Sequence, residues 1–260
     1  MTDPLEEESA APPPEEAPKE KPRKERRRLG KKRGVARGGK AGLAGEDATW
    51  SRDRLSRHHI ISAHHFAESA EGIEAHGGDV PQQDKWRYRA YVTASVLSSV
   101  AYLSASINEL YLEVRKLSES GQPGVRRELD LLIEAWPRIS KVQVLQRYQL
   151  ALAVIDADSY NPDRLPYVDA DNLVRLRDSL LSYDIEWDDS RGRHHNLEER
   201  LHKKFPPSPV VSSSRPWFPD RCLGSGCAKW GVKTVQDFTN DFYGRMGLPG
   251  RPVVGGEDQE

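Results

Sequence analysis

The residues best suited to chemistry in this chain are cations. In NLVRLRDSLLSY, residues 172–183, Arg177 falls four residues after Leu173 and three before Leu180. On a helix it therefore shares their apolar stripe. A charge placed there needs a partner, because burying it unpaired costs several kcal/mol. The partner could be a carboxylate on another helix, a phosphate, or a group on a facing protomer. Asp178 adjoins Arg177 in sequence but projects about 100° around the helix.

A second basic cluster follows closely. RGRHHNLEERLHKKF, residues 191–205, brings Arg191, Arg193, His194, His195, Arg200, His202, Lys203 and Lys204 together. Such a cluster suits phosphate contact, with Arg193, Lys203 and Lys204 as the candidate nucleic-acid-binding residues. It equally suits a solvated helix face on which Glu198 and Glu199 neutralise the bases. The most concentrated charge lies near the N-terminus. Residues 1–20 hold seven acids against one Lys, and residues 21–40 hold eleven Lys or Arg against one Glu. Lys24, Arg26, Arg27, Arg28, Lys31, Lys32 and Arg33 would bind polyanions in a salt-dependent way, unless the acidic block masks them intramolecularly. No aromatic residue interleaves them, so base stacking is not expected there.

Other constellations carry less. His58, His59, His64 and His65 offer no pair at the three- or four-residue spacing of a helical chelate among themselves, and a single His–Glu pair such as His64 with Glu68, which has it, is a weak signal. Cys222 and Cys227 are the only two cysteines, which excludes an all-cysteine zinc site within one chain. They read as buried free thiols, or as half of a zinc site completed by His194, His195 or His202. No phosphate loop, serine elbow or zinc-protease motif occurs, and no cofactor is implied.

The elements that position these residues read as helices throughout. Residues 53–76 form a loose amphipathic helix with Leu55, Ile61, Phe66 and Ile73 as its apolar members. A stronger helix spans about 84–118. Its Val92, Val96, Val100, Leu103, Ile107, Leu110, Val114 and Leu117 are spaced 4, 4, 3, 4, 3, 4, 3, a 3.6-residue period. SGQPG ends it. ELDLLIEAW follows and is ended by Pro137. Residues 141–155 form a helix with Leu145, Tyr148, Leu152 and Ile155 inward. Residues 169–187 form the Arg177 helix, with Asp169 or Asp171 as N-cap. A short helix buries Leu197, Leu201 and Phe205, and PPSPVVSSSRPWFPDR is an extended loop. Residues 227–246 form a last helix using Trp230, Val232, Val235, Phe238 and Phe242. No run of alternating strands appears. The expected fold is all-α: a helical bundle of five to seven helices, residues 46–247, behind a disordered N-terminal tail (1–45) and before a polar C-terminal tail (248–260).

This layout resembles the HEPN family (higher eukaryotes and prokaryotes nucleotide-binding). The likeness rests on three features in order, covering about residues 84–247. They are a long Ser/Ala-rich helix (ASVLSSVAYLSASINELYL), an Arg-bearing helix (LVRLRDSLL), and a Cys-bearing segment (FPDRCLGSGCAKW). The family's motif is Arg, a polar residue, three further residues, and His. The resemblance implies metal-independent RNA cleavage, in which a ribose 2′-OH attacks the adjacent phosphate. An Arg stabilises the developing charge, a His moves protons, and two protomers join their motifs across a homodimer interface. Residue by residue, Arg177 matches the Arg, Asp178 the polar position, and Ser182 the His. A serine hydroxyl cannot shuttle protons near neutral pH. The neighbouring Tyr183, with an ordinary pKa near ~10, is an inferior substitute. His194 or His195 would serve only if the following loop folded back. The expectation is a HEPN-like protein that binds or weakly processes RNA through a degenerate site. The other reading is a non-enzymatic helical scaffold whose tail binds polyanions.

Composition frames these readings. The acidic, Pro-rich start lacks the apolar core of a secretory signal and the acid-poor character of a transit peptide. Two cysteines do not make a secreted disulfide scaffold. A soluble cytoplasmic protein is the expectation. The 19 uncharged residues between Arg89 and Glu109 approach the length of a bilayer span, but their Ser, Thr and Asn content and one-sided periodicity favour a buried bundle helix.

Overall fold

The computed structural model describes residues 54–76, 80–119, 127–182 and 193–248, with side chains placed for all of these except 116–119, 127–129 and 193–194. Among the described residues every regular element is helical: α1 (Leu55–Ala75), α2 (Gln82–Glu119), α3 (Arg127–Ile139), α4 (Val144–Val154), α5 (Tyr167–Leu181), α6 (Arg193–Leu201), a short π-type turn (Trp217–Arg221) and α7 (Ser225–Arg245). The tail 1–45, with Lys24, Arg26, Arg27, Arg28, Lys31, Lys32 and Arg33, lies outside the described residues, as does the C-terminal tail beyond Leu248.

α2 is the axis of the bundle and packs against α1, α3, α4, α5 and α7. Its periodic stripe is the reason. Val92, Val96, Val100, Leu103, Ile107, Leu110 and Val114 are all buried, and Tyr88 extends the stripe one turn towards the N-terminus. By length and hydropathy α2 is long and apolar enough to cross a membrane, and more than half of that stretch is buried within the bundle.

α1 turns a different face inward than its large apolar residues suggest. Leu55 and Ile61 are exposed, while Ile60, Ala63, Ala67 and Ala70 are buried. Ala63 meets a small residue on α2: the buried Ser95 hydroxyl donates to its carbonyl at 2.8 Å. Small side chains on both helices let the backbones approach, which outweighs the apolar area of a leucine or isoleucine at the rim.

Two glutamates fasten the start of one helix to another element. The buried Glu109 of α2 accepts from the Ser56 N–H at 2.6 Å and from its hydroxyl at 2.5 Å. Glu74 of α1 accepts from the Ser225 N–H at 2.9 Å, from the Ser225 hydroxyl, and from the Tyr88 hydroxyl. In each case a carboxylate sits at the positive end of a helix and satisfies an amide that has no partner within its own helix. Burial, reinforced by Glu74, pushes the Tyr88 hydroxyl well above its ordinary range.

Several boundaries differ from the sequence expectation. α3 runs through Pro137 to Ile139, so its stop falls later than the proline. α5 begins at Tyr167 with Pro166 as N-cap, which makes Asp169 a first-turn acid rather than the cap. Within 206–221, expected as extended loop, Trp217 and Phe218 are buried in the π-type turn. Trp230 and Ile155 are only partly buried, whereas Val232, Val235, Phe238 and Phe242 form the core of α7.

Candidate functional site

The Arg177 helix reaches its place through Ala170, Leu173 and Leu176, which are fully buried. α7 approaches closely at Gly231, where an added Cβ would come within 3.2 Å of Leu173. This spacing puts Leu176, rather than Leu180, at the centre of the buried face. Arg177 is thereby rotated to the edge of that face, with its side chain 29% exposed.

The partner of Arg177 is its sequence neighbour. Arg177 Nε lies 2.8 Å from Asp178 Oδ1, an ion contact without aligned hydrogen-bond geometry. The 100° separation on the helix does not prevent it, because both side chains reach outward from the edge of the buried face. Asp178 is 60% exposed. Ser182 caps the C-terminus of α5, is exposed, and donates its N–H to the Asp178 carbonyl at 2.9 Å. The three motif positions thus gather at the C-terminal end of one helix. No imidazole is hydrogen-bonded to any of them among the described residues. Tyr183 and the His194 side chain lie outside those residues.

The second basic cluster is occupied from within the fold. Lys204 Nζ lies 2.6 Å from Asp169 Oδ1. Arg200 donates to Asn196 at 3.0 Å and to Asn172 at 3.4 Å, and it lies 4.0 Å from Asp171, which also pairs with Arg175 at 2.7 Å. The acids of α5 therefore fasten α6 to the bundle. Lys203 is exposed, His195 lies 3.4 Å from Glu199, and the Arg193 side chain lies outside the described residues. Spacing in the sequence could expose the cations of α6 but not the acids facing them from α5.

The cysteines sit inside the core. Cys222 and Cys227 are free and fully buried, and burial raises both thiols well above their ordinary value. No group of three or more His, Cys, Asp or Glu side chains gathers to hold a metal among the described residues. His64 lies against α7, with the Gln236 amide nitrogen 3.0 Å from its Nε2.

A cleft that sequence spacing did not identify opens between the start of α2 and residues 210–220. It encloses about 300 Å³. Gln82, Lys85, Trp86 and Arg89 line it from one face of α2, and Val210, Val211, Ser212, Arg215 and Asp220 from the other side. Asp220 is nearly buried and holds two guanidinium groups. Arg89 Nη2 donates to its Oδ1 at 2.8 Å, and Arg215 Nε lies 3.0 Å from its Oδ2. Trp86 is 67% exposed. Beside the cleft, Ser208 shares a 2.9 Å hydrogen bond with the Tyr88 hydroxyl and donates its N–H to the Arg221 carbonyl at 2.7 Å. Gly224 lets this segment close, since a Cβ there would meet the Ser208 Cα at 3.0 Å. The available signal was the helical register of Gln82, Trp86 and Arg89 opposite the core stripe. Nothing in the sequence tied it to Asp220, 131 residues after Arg89.

Comparison of the chain with family models, with curated proteins and with solved structures returns no match.

Proposed function

We propose that this chain is a HEPN-like RNA-binding protein whose motif holds phosphate without cleaving the strand. The observation that carries this reading is the placement of Arg177. Its guanidinium stands at the edge of the buried face of α5, with Nε shielded from solvent, and among the described residues its one recorded contact is the adjacent, exposed Asp178. A phosphate can compete for such a guanidinium, because Asp178 meets only its Nε without aligned hydrogen-bond geometry and a planar guanidinium recognises phosphate oxygens with paired donors. Ser182, one turn further on, supplies a hydroxyl where cleavage would need a group that titrates near neutral pH. The expected behaviour is salt-dependent RNA binding, weakened by Arg177→Ala, with no cleavage in EDTA.

The resemblance also implies a homodimer. Leu181, beside Ser182, is 61% exposed and would be covered if two α5 ends met. Sedimentation of the chain tests this directly.

A second reading is favoured by the ion pairs between α5 and α6. They occupy Arg200 and Lys204, two cations the folded part would otherwise offer to a polyanion. Binding would then rest on the basic segment 21–40, with the bundle as a scaffold. Deleting residues 1–45 separates the two readings. Loss of all RNA binding favours the tail, and retained Arg177-dependent binding favours the motif.

A further inference from the structure

We infer that the cleft between α2 and residues 210–220 binds a nucleotide, as a planar base on Trp86 with its phosphate on Arg215. Three observations lead there. Charge is the first. Two guanidinium groups, Arg89 and Arg215, meet the single carboxylate of Asp220 in the lining, so the cleft retains a cationic surplus after those pairs form. The second is the disposition of donors. A guanidinium has five N–H groups. Arg215 engages Asp220 through Nε and remains 63% exposed, which leaves its outer N–H groups within reach of an anion. Asp220 is fixed by Arg89 from the opposite wall, so Arg215 is held in place before a ligand arrives, which lowers the ordering cost of binding.

The third observation is Trp86. A large aromatic side chain at 67% exposure, on the mouth of a cavity, presents a π-face to solvent. Stacking of a base on such a face tolerates any base, because every base has a π-face. Val210 and Val211 add apolar lining. The cavity, about 300 Å³, is at the small end of ligand pockets. It suits one nucleotide rather than several. The chemistry recognised is the same whether that nucleotide is free or part of a single strand.

The test is calorimetric titration of the full chain with uridine monophosphate, uridine, inorganic phosphate and a short single-stranded oligouridylate. Saturable binding of the monophosphate is expected, at least about tenfold tighter than either uridine or phosphate alone. Trp86→Ala and Arg215→Ala should each weaken it by about tenfold or more, and Lys233→Ala, on the exposed face of α7, should leave it unchanged. Both cleft residues are largely exposed, so the variants are expected to keep the wild-type melting temperature. If the oligonucleotide binds in the same Trp86-dependent manner and the monophosphate does not, the ligand is a nucleotide within a strand, and the inference stands. It is overturned if neither ligand binds saturably, if phosphate or uridine alone binds as tightly as the monophosphate, or if both cleft variants bind like wild type. Oligonucleotide binding that depends on Arg177 but not on Trp86 or Arg215 overturns this inference and leaves the Arg177 reading intact, whereas an oligonucleotide that does not bind at all counts against both.

Discussion

Arg177 and Asp178, consecutive residues of α5, form an ion pair with Nε and Oδ1 2.8 Å apart. Consecutive helical residues do not face one another, so this contact exists because both side chains extend from the rim of the bundle. Removing the carboxylate should free the guanidinium at little structural cost. Asp178→Asn is expected to strengthen RNA binding about threefold, by deleting a nearby negative charge. It should lower unfolding stability by no more than about 1 kcal/mol, since Asp178 is exposed although the Arg177 Nε it meets is buried. Fluorescence anisotropy and urea unfolding of the variant measure the two effects. Weaker binding would mean that Asp178 itself helps hold the ligand.

Ser182 closes α5 and is exposed, so a larger side chain can be placed there without disturbing the core. Ser182→His restores a group that titrates near pH ~6.5. General acid–base assistance is worth about 10²–10⁴-fold. The variant should cleave RNA in EDTA at least about a hundredfold faster than wild type, with a rate that changes through neutral pH. The double variant with Arg177→Ala should lose that gain. A gel assay of labelled RNA at several pH values decides the matter. A Ser182→His variant as inert as wild type would place this position out of line with Arg177.

Lys204 has a partner within the fold, Asp169, 2.6 Å away and mostly buried. Its truncation should cost stability rather than affinity. Lys204→Ala is expected to lower unfolding stability by about 1 kcal/mol and to leave RNA affinity within about twofold of wild type. A loss as large as that from Arg177→Ala would show that Lys204 meets the phosphate as well.

The buried thiols and phenols make the fold sensitive to alkali. Burial raises Cys227 from an ordinary value of 9.0, and burial followed by Asp241 raises Tyr160 from 10.0. Tyr88 is raised by burial and by Glu74. Each group keeps its proton to higher pH when folded than when unfolded. The unfolded chain therefore loses protons first. The stability these groups provide is fully present below about pH 9, and it declines as pH rises beyond their unfolded values, by about 1.4 kcal/mol per pH unit for each group. The melting temperature should fall above pH 9, and Cys227→Ala should make that fall shallower at its onset. Under native conditions at pH 8 neither thiol should react with a disulfide reagent, and both should react in denaturant. A melting temperature flat to pH 11, or rapid native labelling, would contradict this.

Much of the bundle was legible in the sequence because its longest helix is strongly periodic. The stripe from Val92 to Val114 is buried as its spacing implies. α1 was read in the wrong register, since Leu55 and Ile61 carry more apolar area than Ala63, Ala67 and Ala70, yet the alanines permit the close approach of α2 through Ser95. Pro137 misled for a related reason: a proline marks a boundary only where the chain can turn away, and α3 continues to Ile139. At the site, the motif positions were legible but the pairing of Arg177 was not, because a stripe assigned from Leu173 and Leu180 placed it too deep. The occupation of α6 by Asp169 and Asp171, and the meeting of Arg89 with Asp220, are tertiary contacts. Local spacing carries no information about which distant acid faces a given cation.

The most direct measurement is the affinity of a short single-stranded RNA for the full chain and for Arg177→Ala at moderate salt, repeated without residues 1–45 to remove the basic segment. A charge-assisted contact contributes about 1.5–3 kcal/mol, so the account predicts a loss of about tenfold or more in both backgrounds. Equal affinity of wild type and variant in both would contradict it.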